Sequence, residues 1–155
     1  MSGRTGGGMK IAVGSDHAGY EAPGPLYKPG VMDFLKSLGH EVIDCGTNGP
    51  ESVDYPDFAK RVSEAIIRGE AQMGVLICGT GMGIAMAANR FSGIRAAVCT
   101  SPDMAQIARE HNNANVVAVG RRLLTLEQCL DIIETFLATP FSGGERHTRR
   151  VGKMG

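Results

Sequence analysis

The sequence predicts one doubly wound α/β domain, with a five-stranded parallel sheet covered by helices on both faces. Three observations lead there. Short apolar runs of β type alternate with longer stretches of helical period from Lys10 to Ala138. The runs carry little polar alternation, as expected of parallel strands buried on both sides. The chain has 155 residues, of which 43% are hydrophobic, which suits a single globular domain with a complete sheet-and-helix core.

The first strand is expected at Lys10–Gly14 (KIAVG) and the second at Glu41–Cys45 (EVIDC). The third is Gly74–Cys78 (GVLIC), the fourth Arg95–Cys99 (RAAVC) and the fifth Asn115–Val119 (NVVAV). Strand–helix alternation with right-handed crossovers gives an open parallel sheet, and the flavodoxin-like order 2-1-3-4-5 is expected. Phe58, Val62, Ala65 and Ile66 repeat at helical spacing, as do Leu126, Leu130, Ile133 and Leu137. A further helix is expected at Pro102–Glu110. After the first strand, Gly19–Gly30 holds Pro23, Pro25 and Pro29. Each removes a backbone donor, so an ordered loop is expected, with a short helix through Val31–Leu38. Residues 1–8 are glycine-rich and lack the apolar core of a signal peptide; they read as a flexible leader before a domain spanning 9–155. The tail after Pro140 is polar, with a basic cluster from Arg146 to Arg150.

Sixteen basic and sixteen acidic residues balance to a net charge of zero, which argues against a nucleic-acid partner bound through broad charge. No apolar run approaches the ~18–20 residues of a membrane span, so no membrane partner is expected and the protein reads as cytoplasmic. The cysteines Cys45, Cys78, Cys99 and Cys129 are scattered, without zinc-site spacing, and no metal is expected.

Ligands of an open parallel sheet bind beyond the carboxyl ends of the strands, where strand order reverses. The first strand ends there in Gly14-Ser15-Asp16-His17. The third ends in Cys78-Gly79-Thr80-Gly81-Met82-Gly83 and then opens a helix. Glycines at alternate positions let successive N–H groups turn inward, and the helix start adds partial positive charge, which together suit a phosphate or an oxyanion. The spacing differs from the dinucleotide and nucleoside-triphosphate loops. Cys78 is the first residue of this nest. A helix N-terminus favours the thiolate, the reactive form of cysteine. A base beside oxyanion donors is what proton abstraction next to a carbonyl requires. Buried strand-end cysteines are more often inert, and Cys45, Cys99 and Cys129 read that way. His111-Asn112 suits hydrogen bonding to hydroxyls, while Arg122, Arg146, His147 and Arg150 offer cations for a phosphate.

Taken together, Gly14-Ser15-Asp16-His17-Ala18-Gly19, Asp54-Tyr55-Pro56, Ile77-Cys78-Gly79-Thr80-Gly81-Met82-Gly83, Ala87-Ala88-Asn89-Arg90, Gly93-Ile94-Arg95-Ala96, His111-Asn112 and the Arg146-His147-x-x-Arg150 tail resemble the type B ribose-5-phosphate isomerases, within the ribose/galactose-6-phosphate isomerase family. The resemblance runs from about Met9 to Val151. It implies interconversion of ribose 5-phosphate and ribulose 5-phosphate in the pentose phosphate pathway through a cis-enediolate, without cofactor. It further implies that His111, helped by Thr80, opens the furanose ring, and that Cys78 moves the proton between C2 and C1. The Gly79, Gly81, Met82 and Gly83 segment and Asn112 would hold the oxyanion, and Asp16 would orient hydroxyls. His17, Arg122, Arg146 and Arg150 would grip the phosphate, and Tyr55 would line the pocket. The implied assembly is a homodimer, or a dimer of dimers, with sites shared between subunits. Two features depart from the family pattern: the Pro-rich segment after His17, and Glu145, one additional residue ahead of Arg146. Where one branch of the family carries a glutamate base on the nest helix, this chain has Ile84. A galactose-6-phosphate isomerase subunit and a non-catalytic phosphate- or nucleotide-binding module are the competing readings.

Overall fold

A computed structural model describes residues 8–155. The expected leader, residues 1–8, falls outside the described residues apart from Gly8. Five strands form one parallel sheet: β1 (Lys10–Ser15), β2 (Glu41–Asp44), β3 (Met73–Cys78), β4 (Ala96–Val98) and β5 (Val116–Gly120). The helices are α1 (Tyr27–Ser37), α2 (Tyr55–Ile67), α3 (Met82–Ala88), α4 (Pro102–Asn112), α5 (Leu126–Ala138) and α6 (Glu145–Met154), with a 3-10 turn at His17–Tyr20.

Alternation along the central strands builds two cores. Ile11, Val13, Val75, Ile77, Val117 and Val119 face one way and pack on Val31 and Leu35 of α1 and on Ile132, Ile133 and Phe136 of α5. Ala12, Leu76, Cys78, Val116 and Ala118 face the other way, against Phe58 and Val62 of α2 and Ile84 and Ala85 of α3. Cys78 therefore points to the α2–α3 side.

The fold class is the expected one, but the last two strands exchange places: the order is 2-1-3-5-4. The reason lies in burial. Every residue of β5 is buried, so it occupies the interior beside β3, whereas β4 has three half-buried residues and takes the edge. The reversal point between β1 and β3 is unaffected.

Helix α1 starts at Tyr27 rather than near Val31. Pro29 is its third residue, and the amide lost there is one that has no intrahelical partner in the first turn. α4 continues through His111 and Asn112, two residues past the expected end, and stops where Asn113 turns left-handed at φ 46°. The basic tail is itself a helix, α6, packed beside α4.

Candidate active site

Strand β3 delivers Cys78 to the carboxyl edge of the sheet, where it is 4% exposed. The chain then turns through the glycine segment into α3. Gly81 is the helix N-cap and sits at φ +83°, a conformation that strains any residue with a Cβ. Its N–H donates to Cys78 Sγ at 3.1 Å. The Thr80 hydroxyl accepts the Met82 N–H at 3.2 Å. Two further glycines make the approach possible: a Cβ on Gly120 would meet the Thr80 carbonyl carbon and oxygen at 2.7 Å, and one on Gly83 would meet the Tyr55 ring at 2.7 Å. Tyr55, at the start of α2, thus lies directly against the nest.

Asp16 and His17 arrive from the neighbouring strand. Asp16 is 7% exposed; its N–H donates to the Ile77 carbonyl at 3.1 Å and its carboxylate accepts the Ala18 N–H at 2.9 Å. Burial pushes its carboxyl above the usual value, opposed by that bond and by the charges of His17 and Arg122. His17 Nδ1 accepts the Val53 N–H at 3.2 Å, which leaves Nε2 as its donor. Arg122 follows β5. Its N–H donates to the Gly79 carbonyl at 2.9 Å, and its guanidinium lies within the electrostatic reach of Asp16 and Cys78. Cys78, Gly79, Thr80, Gly81, Met82, Gly83, Asp16, His17, Tyr55 and Arg122 therefore gather at one place on the carboxyl edge of the sheet.

The remaining candidates lie elsewhere. β5 runs parallel to β3, with Val116 opposite Gly74 and Gly120 opposite Cys78. His111 and Asn112 end α4 just before β5 begins, so they stand at the amino edge. Cys78 stands at the carboxyl edge, a further four residue steps along the sheet, or about 13 Å at ~3.3 Å per step. The Arg146 and Arg150 positions, four apart on α6, are exposed at this amino edge too, where the His147 ring stacks on His111 with centroids 4.4 Å apart. Partial burial, and then the charges of His111, Arg146 and Arg150, hold His147 below its usual pKa. An open cavity of about 610 Å³, lined in part by Asn89, Arg95, Asn112 and Met154, lies on this side and not at Cys78. The expected site is thus split into two halves at opposite ends of one sheet.

Residues that the sequence did not single out surround the first half. Glu21 binds Arg122 through both oxygens, at 2.6 and 3.1 Å to Oε1 and 3.3 Å to Oε2. Lys28, with its side chain fully buried, reaches Asp44 and Asn48. Asp44 in turn accepts the Gly46 N–H, and Gly46 and Thr47 bracket Ser15, directly ahead of Asp16. These contacts join residues distant in sequence and leave no local motif.

A family model described as Ribose/Galactose Isomerase matches residues 11–154. The chain belongs to the ribose/galactose isomerase family. It is 46% identical over 142 residues to ribose-5-phosphate isomerase B of Escherichia coli, covering 92% of this chain and 91% of that one. Ribose-5-phosphate isomerase B of Mycobacterium tuberculosis is 38% identical over 145 residues, covering 93% and 86%. Among solved structures, ribose-5-phosphate isomerase B of Clostridium thermocellum superposes with a TM-score of 0.89 at 55% identity, covering 95% of each chain. The type B enzyme of Trypanosoma brucei gives 0.88 at 42%, covering 95% and 97%.

Among the described residues no helix is long and apolar enough to cross a membrane, and no group of three or more His, Cys, Asp or Glu is placed to hold a metal ion.

Proposed function

We propose that this chain interconverts D-ribose 5-phosphate and D-ribulose 5-phosphate through a cis-enediolate, as a step of the pentose phosphate pathway in the cytoplasm. The observation that carries the reading is the Cys78 thiol at the head of the glycine nest, with the Gly81 N–H directed at its sulfur. A proton acceptor and a set of oxyanion donors thereby share one crevice, which is what proton transfer between C2 and C1 of an aldose demands. Family membership and the named relatives support the same substrate.

In this mechanism His111, with Thr80, opens the ring. Cys78 takes the C2 proton and returns it to C1. The nest amides of Gly79–Gly83 and Asn112 stabilise the enediolate oxygen, and Asp16 orients the hydroxyls. His17, Arg122, Arg146 and Arg150 bind the phosphate, and Tyr55 closes one wall. No cofactor takes part: the proton moves between carbons of one molecule and no electrons leave it.

The split site gives this reading a structural consequence. His111, Asn112, Arg146 and Arg150 act on a substrate at Cys78 only if a second copy of the chain supplies them. We therefore read the enzyme as a homodimer with shared sites, or a dimer of such dimers. Met82 and Met86 on α3 and Met104 and Ile107 on α4, all exposed, provide apolar surface beside edge strand β4 for a second copy to cover. A coupled assay comparing ribose 5-phosphate with six-carbon aldose phosphates tests the function. Turnover confined to the pentose phosphate is expected; a preference for the six-carbon substrates, or no isomerase activity, would contradict it.

A further inference from the structure

The segment between the 3-10 turn and α1 carries an acidic residue into the crevice. Glu21 caps that turn, five positions after Asp16, and its carboxylate occupies the Nε–Nη2 edge of Arg122. Arg122 is the cation nearest the nest: a Cβ on Gly79 would lie 3.0 Å from its Nη1. The segment is tied down independently. Arg121 donates to the carbonyl oxygens of Glu21 at 3.3 Å and Pro23 at 2.9 Å, and its guanidinium lies 4.7 Å from the Tyr27 ring centroid. Tyr27 in turn donates its hydroxyl to the Leu124 carbonyl at 2.6 Å. Adjacent arginines thus anchor the Pro-rich strap, one by its backbone and the other by its only acidic side chain.

We propose that Glu21 is an internal anion that competes with the substrate phosphate for Arg122 and so sets how tightly the crevice binds anions. The inference rests on the reading that phosphate binds at this crevice. Arg122 offers one planar fork, and a carboxylate already fills its better edge. An incoming phosphate dianion must either displace Glu21 or lie beside its negative charge. Both lower affinity. The geometry also offers an opposing effect, in which Glu21 holds the Arg122 side chain in place. Arg122 is exposed at 56%, whereas Glu21 is half-buried at 30% and is held through its backbone carbonyl by Arg121, so the contact fixes the carboxylate better than it fixes the guanidinium. Repulsion of a dianion by a fixed carboxylate is the larger effect, because it scales with the product of the charges.

The test uses the full-length enzyme with inorganic phosphate as a competitive inhibitor. Glu21→Gln keeps the side-chain length and removes the charge. It should lower the Ki for phosphate, and the KM for ribose 5-phosphate, by about three- to tenfold, with kcat within about twofold. In an Arg122→Ala background the same substitution should change Ki by much less, because the competition runs through Arg122. An unchanged or raised Ki in Glu21→Gln, when Arg122→Ala alone raises Ki, overturns the competition and leaves the phosphate assignment standing. An unchanged Ki in Arg122→Ala alone removes Arg122 from the phosphate site and overturns both. A melting temperature equal to wild type in Glu21→Gln separates these effects from misfolding.

Discussion

Gly120→Ala probes how the nest is held against β5. The new Cβ would lie 2.7 Å from both the carbon and the oxygen of the Thr80 carbonyl, and 2.8 Å from its Cα. Ordinary contact begins near about 3.4 Å, so backbone must retreat by about 0.7 Å. The displaced unit is the Thr80–Gly81 peptide, whose N–H donates to Cys78 Sγ at 3.1 Å. A shift of that size away from β5 takes the donor off the sulfur. Overpacking of this kind costs about 1–3 kcal/mol of stability. The same peptide belongs to the nest whose amides are read as holding the enediolate oxygen, and loss of one aligned donor at that developing charge costs about 10²–10³ in kcat. Gly152→Ala is the control, because nothing lies within 4 Å of the position its Cβ would take. Initial rates with ribose 5-phosphate and a thermal melt on each variant test the reasoning. Gly120→Ala should melt several degrees lower and lose at least tenfold in kcat, while Gly152→Ala matches wild type. A folded Gly120→Ala with kcat within twofold of wild type would show that the Thr80–Gly81 peptide has no part in turnover.

Two further outcomes follow from the geometry. Arg146→Ala or Arg150→Ala should raise KM about tenfold or more without lowering the melting temperature, since each removes one charge-assisted bond worth about 1.5–3 kcal/mol from an exposed position; an unchanged KM in both would take α6 out of the site. Burial raises the Cys99 thiol to about 11 and the Cys129 thiol to about 12, from 9.0. These thiols stay neutral in the folded protein where the unfolded chain ionises. Their contribution is therefore complete below pH 9 and is lost as pH rises through the folded values, at up to about 1.4 kcal/mol per thiol per pH unit. Denaturant melts between pH 8 and 11 should show this slope flatten in a Cys99→Ala, Cys129→Ala double variant; an identical slope would assign the alkaline loss to other groups.

The sequence made the strands legible because parallel strands buried on both faces read as unbroken apolar runs. It also exposed the nest, since Gly79, Gly81 and Gly83 mark a turn that side chains would block. Strand order was less accessible. RAAVC and NVVAV look alike as runs, and only the burial of both edges of β5 distinguishes interior from edge. Pro29 reads as a breaker and so hides the start of α1, although in the first turn its missing N–H has no intrahelical partner to lose. Glu21 had no signal at all: its partner lies 101 residues along the chain. The motifs named Cys78 and His111 together, yet it is the return of α4 to the amino edge that separates them within one chain.

That separation makes subunit mixing the most direct test of the account. Cys78→Ala and His111→Ala should each be nearly inactive alone. In a heterodimer, the wild-type Cys78 of one chain meets the wild-type His111 of the other, which restores one site of two. With random exchange half the dimers are mixed, so activity should recover to about a quarter of wild type. Recovery toward that level, with each parent near zero, is the predicted result. No recovery after exchange has been verified by mass spectrometry would contradict a site shared between two copies.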